Sequence, residues 1–249
     1  MSLNRHARCN CILITGPYCN NVGPCVGDDC LRARAFSGKT TRIMPIGASI
    51  TNGYGSSHHN GYRDDLYNLL EKDGNTVNMV GRQKAGDFHD PDNEGYPGWI
   101  IKDVNGKIQQ AMPLMRPNIA TILVGTNDIK FNVNVTGAPD RIYKLVEDVL
   151  NWPWPTLVIL ATLPPNADKA CNKRIDAFNA ALPGVINRFH GRWVLLADVH
   201  PVVKLEDLVD GTHPNDAVFA RIGRKFYDAI KEGERRGWVA PVFGPPPKH

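Results

Sequence analysis

The sequence predicts an α/β fold in which a parallel β-sheet is covered by helices on both faces. Short apolar runs that end at glycine or proline alternate with longer segments whose apolar residues recur at helical spacing. Strands that are apolar along their whole length are typical of parallel sheets buried on both faces. We therefore expect a three-layer sandwich with a five-stranded parallel sheet, and a ligand site at the carboxyl ends of its strands.

The first half of this domain is expected to contain three strands and two helices. Residues 42–47 are an apolar run that ends in glycine, which indicates a buried strand followed by a turn. Residues 62–72 carry leucines at the spacing of one helical face and precede a glycine, so they predict a helix. Residues 76–80 and 119–124 predict strands, and residues 100–115 between them predict a helix that ends before a proline.

The second half repeats this alternation of helix and strand. Residues 140–150 place their apolar side chains on one side and predict a helix. The apolar run at 156–163 is closed by two prolines and predicts a strand. Residues 173–188 predict a helix, residues 193–199 a fifth strand, and residues 215–235 a final helix.

Composition divides the chain into three segments: an N-terminal extension over 1–40, one α/β domain over 41–236, and a Pro-rich tail over 237–249. The tail is expected to be extended or disordered. The extension holds five of the six cysteines: Cys9, Cys11, Cys19, Cys25 and Cys30. A disulfide-bonded leader of a secreted protein, a metal knuckle and an incidental tail all remain open for it. Cys171 is the single cysteine of the domain, which therefore does not depend on disulfides.

The charge distribution argues against nucleic acid and membrane partners. The formal net charge is +4, but residues 1–41 hold five basic and two acidic residues, so the rest of the chain carries only +1. A nucleic-acid-binding protein needs a clustered basic face, which the domain lacks. No apolar run approaches the length that spans a bilayer. Oligomeric state leaves no signal in the sequence.

Ser49 is the candidate nucleophile. The chain contains five serines, and only Ser49 directly follows a predicted buried strand. A hydroxyl at the end of a rigid strand is held in a fixed direction, which nucleophilic attack requires together with a base within hydrogen-bond reach. A helix N-cap or turn serine is the alternative interpretation.

Asp210 and His213 are the candidate orienting acid and base. They lie three residues apart across a turn that opens the final helix, so the carboxylate can bind one imidazole nitrogen and leave the other for the serine proton. His200, with Asp198 nearby, also follows a strand but is followed at once by a proline. An Asx-turn with a surface histidine is the alternative interpretation of the 210–213 segment.

Two loops could stabilise the oxyanion that forms during acyl transfer. Asn127 follows the third long strand and can donate from its side-chain amide, and Gly98 can donate from its backbone N–H. The backbone N–H of Ser49 is a third donor. Glycine and asparagine are also common in plain turns, which is the alternative for each loop.

Taken together, four segments resemble the conserved blocks of SGNH (GDSL-like) hydrolases, in family order and over about residues 42–232. They are GASIT at 47–51, GYPG at 95–98, GTND at 125–128 and DGTHP at 210–214. The resemblance implies the flavodoxin-like SGNH fold, with Ser49, His213 and Asp210 as triad and Ser49, Gly98 and Asn127 as oxyanion hole. The segments around three of the blocks look most like carbohydrate esterase family 3.

That resemblance implies a secreted serine esterase that removes acetyl groups from a carbohydrate such as acetylated xylan, without a cofactor. A lipid, aryl-ester or thioester hydrolase of the same superfamily is the first alternative. A non-catalytic carbohydrate-binding protein is the second, because Ala48 stands where the family usually has aspartate before the serine.

Aromatic residues and acidic residues near the blocks suggest supporting roles. Tyr54, Tyr96 and Trp99 are the candidate sugar contacts, although core packing is the alternative for each. The acidic residues at 87, 90, 92 and 94 begin like a calcium loop, but its twelfth position is Ile101. We therefore expect a solvated loop, or carboxylates that lock the Gly98 loop, and no metal site.

Overall fold

A computed structural model describes residues 38–245. Its strands are β1 (Thr40–Gly47), β2 (Thr76–Met79), β3 (Gln83–Lys84), β4 (Asp92–Gly95), β5 (Ile119–Leu123), β6 (Leu157–Ala161) and β7 (Val194–Ala197). Its α-helices are α1 (Ser49–Asn52), α2 (Tyr62–Lys72), α3 (Ile101–Met115), α4 (Thr126–Lys130), α5 (Ala138–Leu150), α6 (Lys169–Asn187) and α7 (Asp216–Arg235). Short 3₁₀ turns lie at Val135–Gly137, His200–Val202 and Leu205–Asp207. The expected cysteine-rich extension lies outside the described residues, apart from its last three positions.

The sheet is mostly parallel, with the order β3-β4-β1-β5-β6-β7, and β2 pairs with the first half of β1. All five expected strands are present and run parallel, so the predicted α/β class is confirmed. The strand count differs because β3 and β4 form an additional antiparallel pair, with β4 parallel to the end of β1. β4 has the sequence DNEG and is held by hydrogen bonds of its polar side chains, so it lacks the apolar pattern that reveals a strand.

Two groups of helices enclose the sheet. α2 packs against α7, and α5 packs against both α3 and α6. The apolar sides of these helices are buried, as the 3.6-residue period predicts; α5, for example, buries Ile142, Leu145 and Val149. Each such side chain contributes about 1.5–3 kcal/mol when fully buried. The core therefore holds the carboxyl ends of the strands in a fixed arrangement.

The end of the described chain lies against the domain in an extended conformation. Asn118 donates from Nδ2 to the Ala240 carbonyl at 2.7 Å, and Arg42 donates to the Phe243 carbonyl at 3.1 Å. The Phe243 ring also stacks on Trp154. Within residues 38–245, no helix is both long and apolar enough to cross a membrane.

Candidate active site

Ser49 lies at the carboxyl edge of the sheet, where β1 turns into the single-turn helix α1. The turn is tight because Gly47 lies against neighbouring atoms. A Cβ atom there would approach the Leu123 carbonyl oxygen to 2.3 Å and Thr51 Oγ1 to 2.1 Å. Only glycine fits such a close approach. Ala48, which precedes the serine, is itself buried.

A continuous hydrogen-bonded relay joins the three candidate catalytic residues. Ser49 Oγ lies 2.8 Å from His213 Nε2, and His213 Nδ1 lies 2.7 Å from Asp210 Oδ2. Because an ionised carboxylate can only accept, the Nδ1 proton is donated to Asp210 and Nε2 is left to accept from the serine. The structure thus brings together all three residues proposed from the sequence.

Asp210 is held in its charged form. Partial burial raises its pKa, but hydrogen bonds from the His213 side chain and from the backbone N–H groups of His213 and Thr212 outweigh this and lower the pKa to about 2. Its side chain is 54 % exposed, whereas that of His213 is 17 % exposed. The imidazole is therefore shielded by the protein while the carboxylate remains in contact with solvent.

The turn between Asp210 and His213 is clamped by residues that the sequence analysis missed. Thr212 is buried, and its Oγ1 accepts from Asn166 Nδ2 at 3.0 Å and from Lys130 Nζ at 3.2 Å. The Ala167 N–H also donates to the Gly211 carbonyl at 2.9 Å. Asn166 follows the two prolines that close β6, and an asparagine in such a loop gives no sequence signal of this role.

Gly98 lies in a turn beside the serine. The Trp99 N–H donates to the Tyr96 carbonyl, and Gly98 has φ +83°, which is the third position of a type II turn and favours glycine. The Tyr96 N–H donates to the Gly47 carbonyl at 3.0 Å and fixes the turn beside Ser49. Among the described residues, the N–H groups of Ser49 and Gly98 have no acceptor, so both can donate to a ligand.

Asn127 connects the second oxyanion loop to the first. Its Nδ2 donates one hydrogen to the Trp99 carbonyl at 2.8 Å, which leaves the second hydrogen available. Its neighbour Asp128 accepts from the Ile101 N–H and from Arg141. Burial raises the pKa of Asp128 even though Arg141 lies beside it. The start of α3 and the Asn127 turn are thus fixed to each other.

The acidic segment before Gly95 supports this loop through Glu94. Glu94 is fully buried; it accepts from the Arg82 backbone and side chain and from the Tyr96 hydroxyl. Burial and the neighbouring Glu94 carboxylate raise the pKa of Tyr96 above its ordinary range. Asp87 binds His58 and lies on the surface. Residues 38–245 contain no group of three His, Cys, Asp or Glu side chains arranged for a metal ion.

The three candidate sugar-contacting aromatics differ in accessibility. Tyr54 is 45 % exposed, and its ring centroid lies 5.8 Å from that of His213. Trp99 is partly exposed. Tyr96 is only 7 % exposed and stacks under Trp99, so the expectation of direct sugar contact is corrected for Tyr96: its hydroxyl is taken up by Glu94 and Arg82.

His200, the alternative candidate base, is held by hydrogen bonds to neighbouring residues of the fold. His200 Nδ1 lies 2.8 Å from the Leu163 carbonyl and 3.1 Å from Asn179 Nδ2. Asp198 instead accepts from the Thr162 hydroxyl. His200 Nε2 lies 3.5 Å from Asp176 Oδ1, so this histidine pairs with groups other than Asp198, the aspartate that made it a candidate.

Comparison with known proteins places this geometry among ester hydrolases. The model of the GDSL-like Lipase/Acylhydrolase family matches residues 46–221. A multidomain esterase of Ruminococcus flavefaciens is 29 % identical; the match covers 77 % of this chain and 28 % of that protein. The chain therefore spans less than a third of the length of this curated relative.

Solved structures show the same fold. A family 3 carbohydrate esterase of Clostridium thermocellum is 25 % identical, with a TM-score of 0.72 over 80 % of this chain and 100 % of that chain. A catalytic mutant of an acetylxylan esterase from Geobacillus stearothermophilus is 17 % identical, with a TM-score of 0.60 over 78 % of this chain and 96 % of that chain. The resemblance to SGNH (GDSL-like) hydrolases and to carbohydrate esterase family 3 is confirmed.

Proposed function

The chain belongs to the GDSL-like Lipase/Acylhydrolase family of ester hydrolases, and we propose that it is a serine esterase that removes acetyl groups from carbohydrate. One observation carries the proposal: Ser49 Oγ, His213 Nε2, His213 Nδ1 and Asp210 Oδ2 form an unbroken chain of hydrogen bonds, with links of 2.8 and 2.7 Å. A hydroxyl, an imidazole and a carboxylate in this order are the parts that acyl transfer needs.

In the proposed reaction, Ser49 Oγ gives its proton to His213 Nε2 and attacks the ester carbonyl carbon. The carbonyl oxygen becomes an oxyanion, which accepts from the N–H groups of Ser49 and Gly98 and from Asn127 Nδ2. The C–O bond to the sugar then breaks, and the sugar oxygen takes the proton from His213. Water attacks the acyl-serine with His213 again as base, which releases acetate and restores the serine.

An acetylated glycan is the proposed substrate. The family 3 carbohydrate esterase and the acetylxylan esterase among the structural neighbours support this class of substrate. The exposed ring of Tyr54, beside His213, and the partly exposed ring of Trp99, next to Gly98 in the chain, offer aromatic surface for a sugar. Because the resemblance to carbohydrate esterase family 3 implies a secreted enzyme, we propose that the enzyme acts extracellularly.

A substrate panel tests the proposal. Wild-type enzyme is assayed on acetylated xylan, acetylated monosaccharides and 4-nitrophenyl esters of increasing acyl length. Ser49→Ala should lower turnover by about 10⁴-fold or more. Ser57→Ala is the matched control, because Ser57 is an exposed serine that binds Asp216. Near-normal activity of Ser49→Ala would exclude Ser49 as nucleophile.

A fluorophosphonate probe separates the enzyme from a non-catalytic binding protein. Labelling of Ser49 in the folded wild-type protein supports the esterase, because the probe needs an activated serine. Absence of labelling in a protein that still binds xylan would instead favour the non-catalytic carbohydrate-binding protein.

Hydrolysis of longer acyl esters is a second candidate, supported by two exposed apolar side chains. Phe131 directly follows the helix that carries Asn127 and is 60 % exposed, and Val209 directly precedes Asp210 and is 59 % exposed. Such residues can contact an acyl chain. A kcat/KM that rises with acyl length across the 4-nitrophenyl series would favour this candidate over an acetyl esterase.

A further inference from the structure

A groove of about 350 Å³ runs along the start of α3, next to the candidate oxyanion loop. Its volume lies at the lower end of the range of about 300–1,000 Å³ that is usual for small-molecule sites. The groove is lined by Trp99, Lys102, Asp103, Gly106, Lys107 and Gln110. One aromatic ring among hydrogen-bonding side chains matches the chemistry of a sugar, which has apolar C–H faces and polar hydroxyl edges.

The groove is connected to the candidate oxyanion loops through Trp99. Trp99 directly follows Gly98, and its carbonyl accepts from Asn127. Both of these neighbours are proposed oxyanion donors, so the aromatic wall of the groove is one residue away from the ester-binding turn.

The Trp99 ring is held in place by the Tyr96 ring on one of its faces. It stacks on Tyr96 with centroids 4.9 Å apart and planes at 25°, and the Tyr96 hydroxyl is held by Glu94. Lys107 Nζ lies 5.7 Å from the Trp99 centroid. A cation–π contact at an exposed site is worth only about 0.5–1 kcal/mol, so a sugar ring can displace this ammonium group or accept a hydrogen bond from it.

The far wall of the groove is braced by Arg82. Its guanidinium donates to the Lys107 carbonyl at 2.6 Å and to Gln110 Oε1 at 3.3 Å. The same guanidinium binds Glu94, which also holds Tyr96. The two walls are thus joined through the buried Glu94 carboxylate and through the bond that Arg82 donates directly to the Tyr96 hydroxyl. A groove with fixed walls binds a ligand at a lower entropic cost.

Gly106 keeps the floor of the groove open. Glycine within a helix costs about 0.8–1.0 kcal/mol relative to alanine. A Cβ atom at Gly106 would have no heavy atom within 4 Å, so neither close packing nor a positive φ explains the residue. Its missing side chain leaves space directly above the helix, in the middle of the groove.

We propose that this groove is a glycan subsite, which binds a sugar unit adjacent to the acetylated one. The inference rests on the proposed esterase function for its substrate, but its binding component can be measured without catalysis. The α3 surface, rather than the relay, is the part of the molecule that distinguishes an oligosaccharide from a small acetate ester.

A blocking substitution with a matched control tests the subsite. Gly106→Leu places a side chain in the groove, and Gly184→Leu places the same side chain in open space on α6. Gly106→Leu should lower kcat/KM on acetylated xylo-oligosaccharides at least about fivefold and change it less than about twofold on 4-nitrophenyl acetate. Gly184→Leu should leave both within about twofold. Equal effects of the two variants on the oligosaccharide would overturn the subsite.

Calorimetric titration of Ser49→Ala with unacetylated xylo-oligosaccharide separates the two hypotheses. Binding that is lost with added Gly106→Leu and kept with added Gly184→Leu supports the subsite, even in a protein without esterase activity. Esterase activity in wild-type enzyme, combined with no oligosaccharide binding, overturns the subsite and leaves the proposed function standing.

Discussion

Asn166 Nδ2 donates to Thr212 Oγ1 at 3.0 Å, and this buried hydrogen bond joins the loop after β6 to the turn that carries Asp210 and His213. The turn itself lies at the surface, since the Asp210 side chain is half-exposed. Its position is set by this bond together with the hydrogen bonds that Asp210 accepts from the Thr212 and His213 N–H groups. The orientation of the imidazole toward Ser49 depends on a side chain that takes no part in the relay.

Removing the Thr212 hydroxyl should therefore impair turnover. Thr212→Val keeps the shape but leaves Asn166 Nδ2 and Lys130 Nζ without their acceptor. We expect kcat to fall about fivefold or more with KM little changed, because small displacements of a base are costly. Thr212→Ser retains the oxygen and should stay within about twofold of wild type. Equal rates for the two variants would show that the hydrogen bonds do not position His213.

Asn127→Ala should lower kcat by about 10²–10³-fold, because it removes a donor to the oxyanion. It also leaves the Trp99 carbonyl without its partner, so thermal unfolding should be measured beside steady-state kinetics. Asn68→Ala, which removes an exposed asparagine of α2, controls for loss of an amide side chain. A kcat change below threefold in folded protein would remove Asn127 from the oxyanion hole.

The pH profile should contain one acid limb, assigned to the imidazole. The pKa of Asp210 is lowered to about 2, so this carboxyl stays ionised over pH 4–9 and contributes no titration there. A base must be unprotonated to act, so kcat/KM should fall on acidification. A profile that stays flat between pH 5 and 8 would contradict the assignment of His213 as base.

Asp210→Asn should lower the rate. The imidazole loses the acceptor that fixes its tautomer, and kcat should fall by about 10⁴-fold. Asp198→Asn changes a carboxylate that accepts from Thr162, outside the relay, and should leave the rate unchanged. Equal rates for the two variants would contradict the assignment of Asp210 as the acid that orients His213.

Glu94→Gln should destabilise the loop that carries Gly98. Glu94 is fully buried and accepts from Arg82 and Tyr96, and loss of its charge weakens these bonds at a cost of about 2 kcal/mol. The melting temperature should fall by about 4–8 °C. Glu71→Gln removes an exposed carboxylate that binds a tyrosine hydroxyl on α2 and should shift it by less than about 1 °C. Equal shifts in melting temperature for the two variants would mean that buried Glu94 stabilises the fold no more than an exposed carboxylate does.

The sequence predicted the apolar elements closely and the polar ones poorly. The helix expected at 62–72 is α2 (Tyr62–Lys72), because leucine spacing and a following glycine determine both its face and its end. The helix expected at 173–188 begins earlier, at Lys169, because the Asp168 side chain caps it. β4 was missed altogether, since its DNEG sequence is buried through polar partners that lie elsewhere in the chain.

The same division applies to the site. The proximity of Ser49, Asp210 and His213 follows from strand ends and a turn, both of which have sequence signals. Arg63 had none: it lies on an amphipathic helix, yet its buried guanidinium donates to backbone carbonyls of two chain segments, to Asn52 and His59 after β1 and to Ala85 and Pro91 between β3 and β4. Burial lowers the pKa of Arg63 to about 10. Such long-range polar contacts depend on the assembled fold and cannot be read from local pattern.

The serine and the histidine are separated by 164 positions in the chain, one at the end of the first strand and the other just before the last helix. Their 2.8 Å contact therefore closes a loop of most of the chain and forms only when nearly the whole domain has folded. No amino-terminal or carboxy-terminal half carries both groups. Ester turnover consequently serves as a reporter of completed topology, and during refolding it should return no earlier than the docking of α7 onto α2.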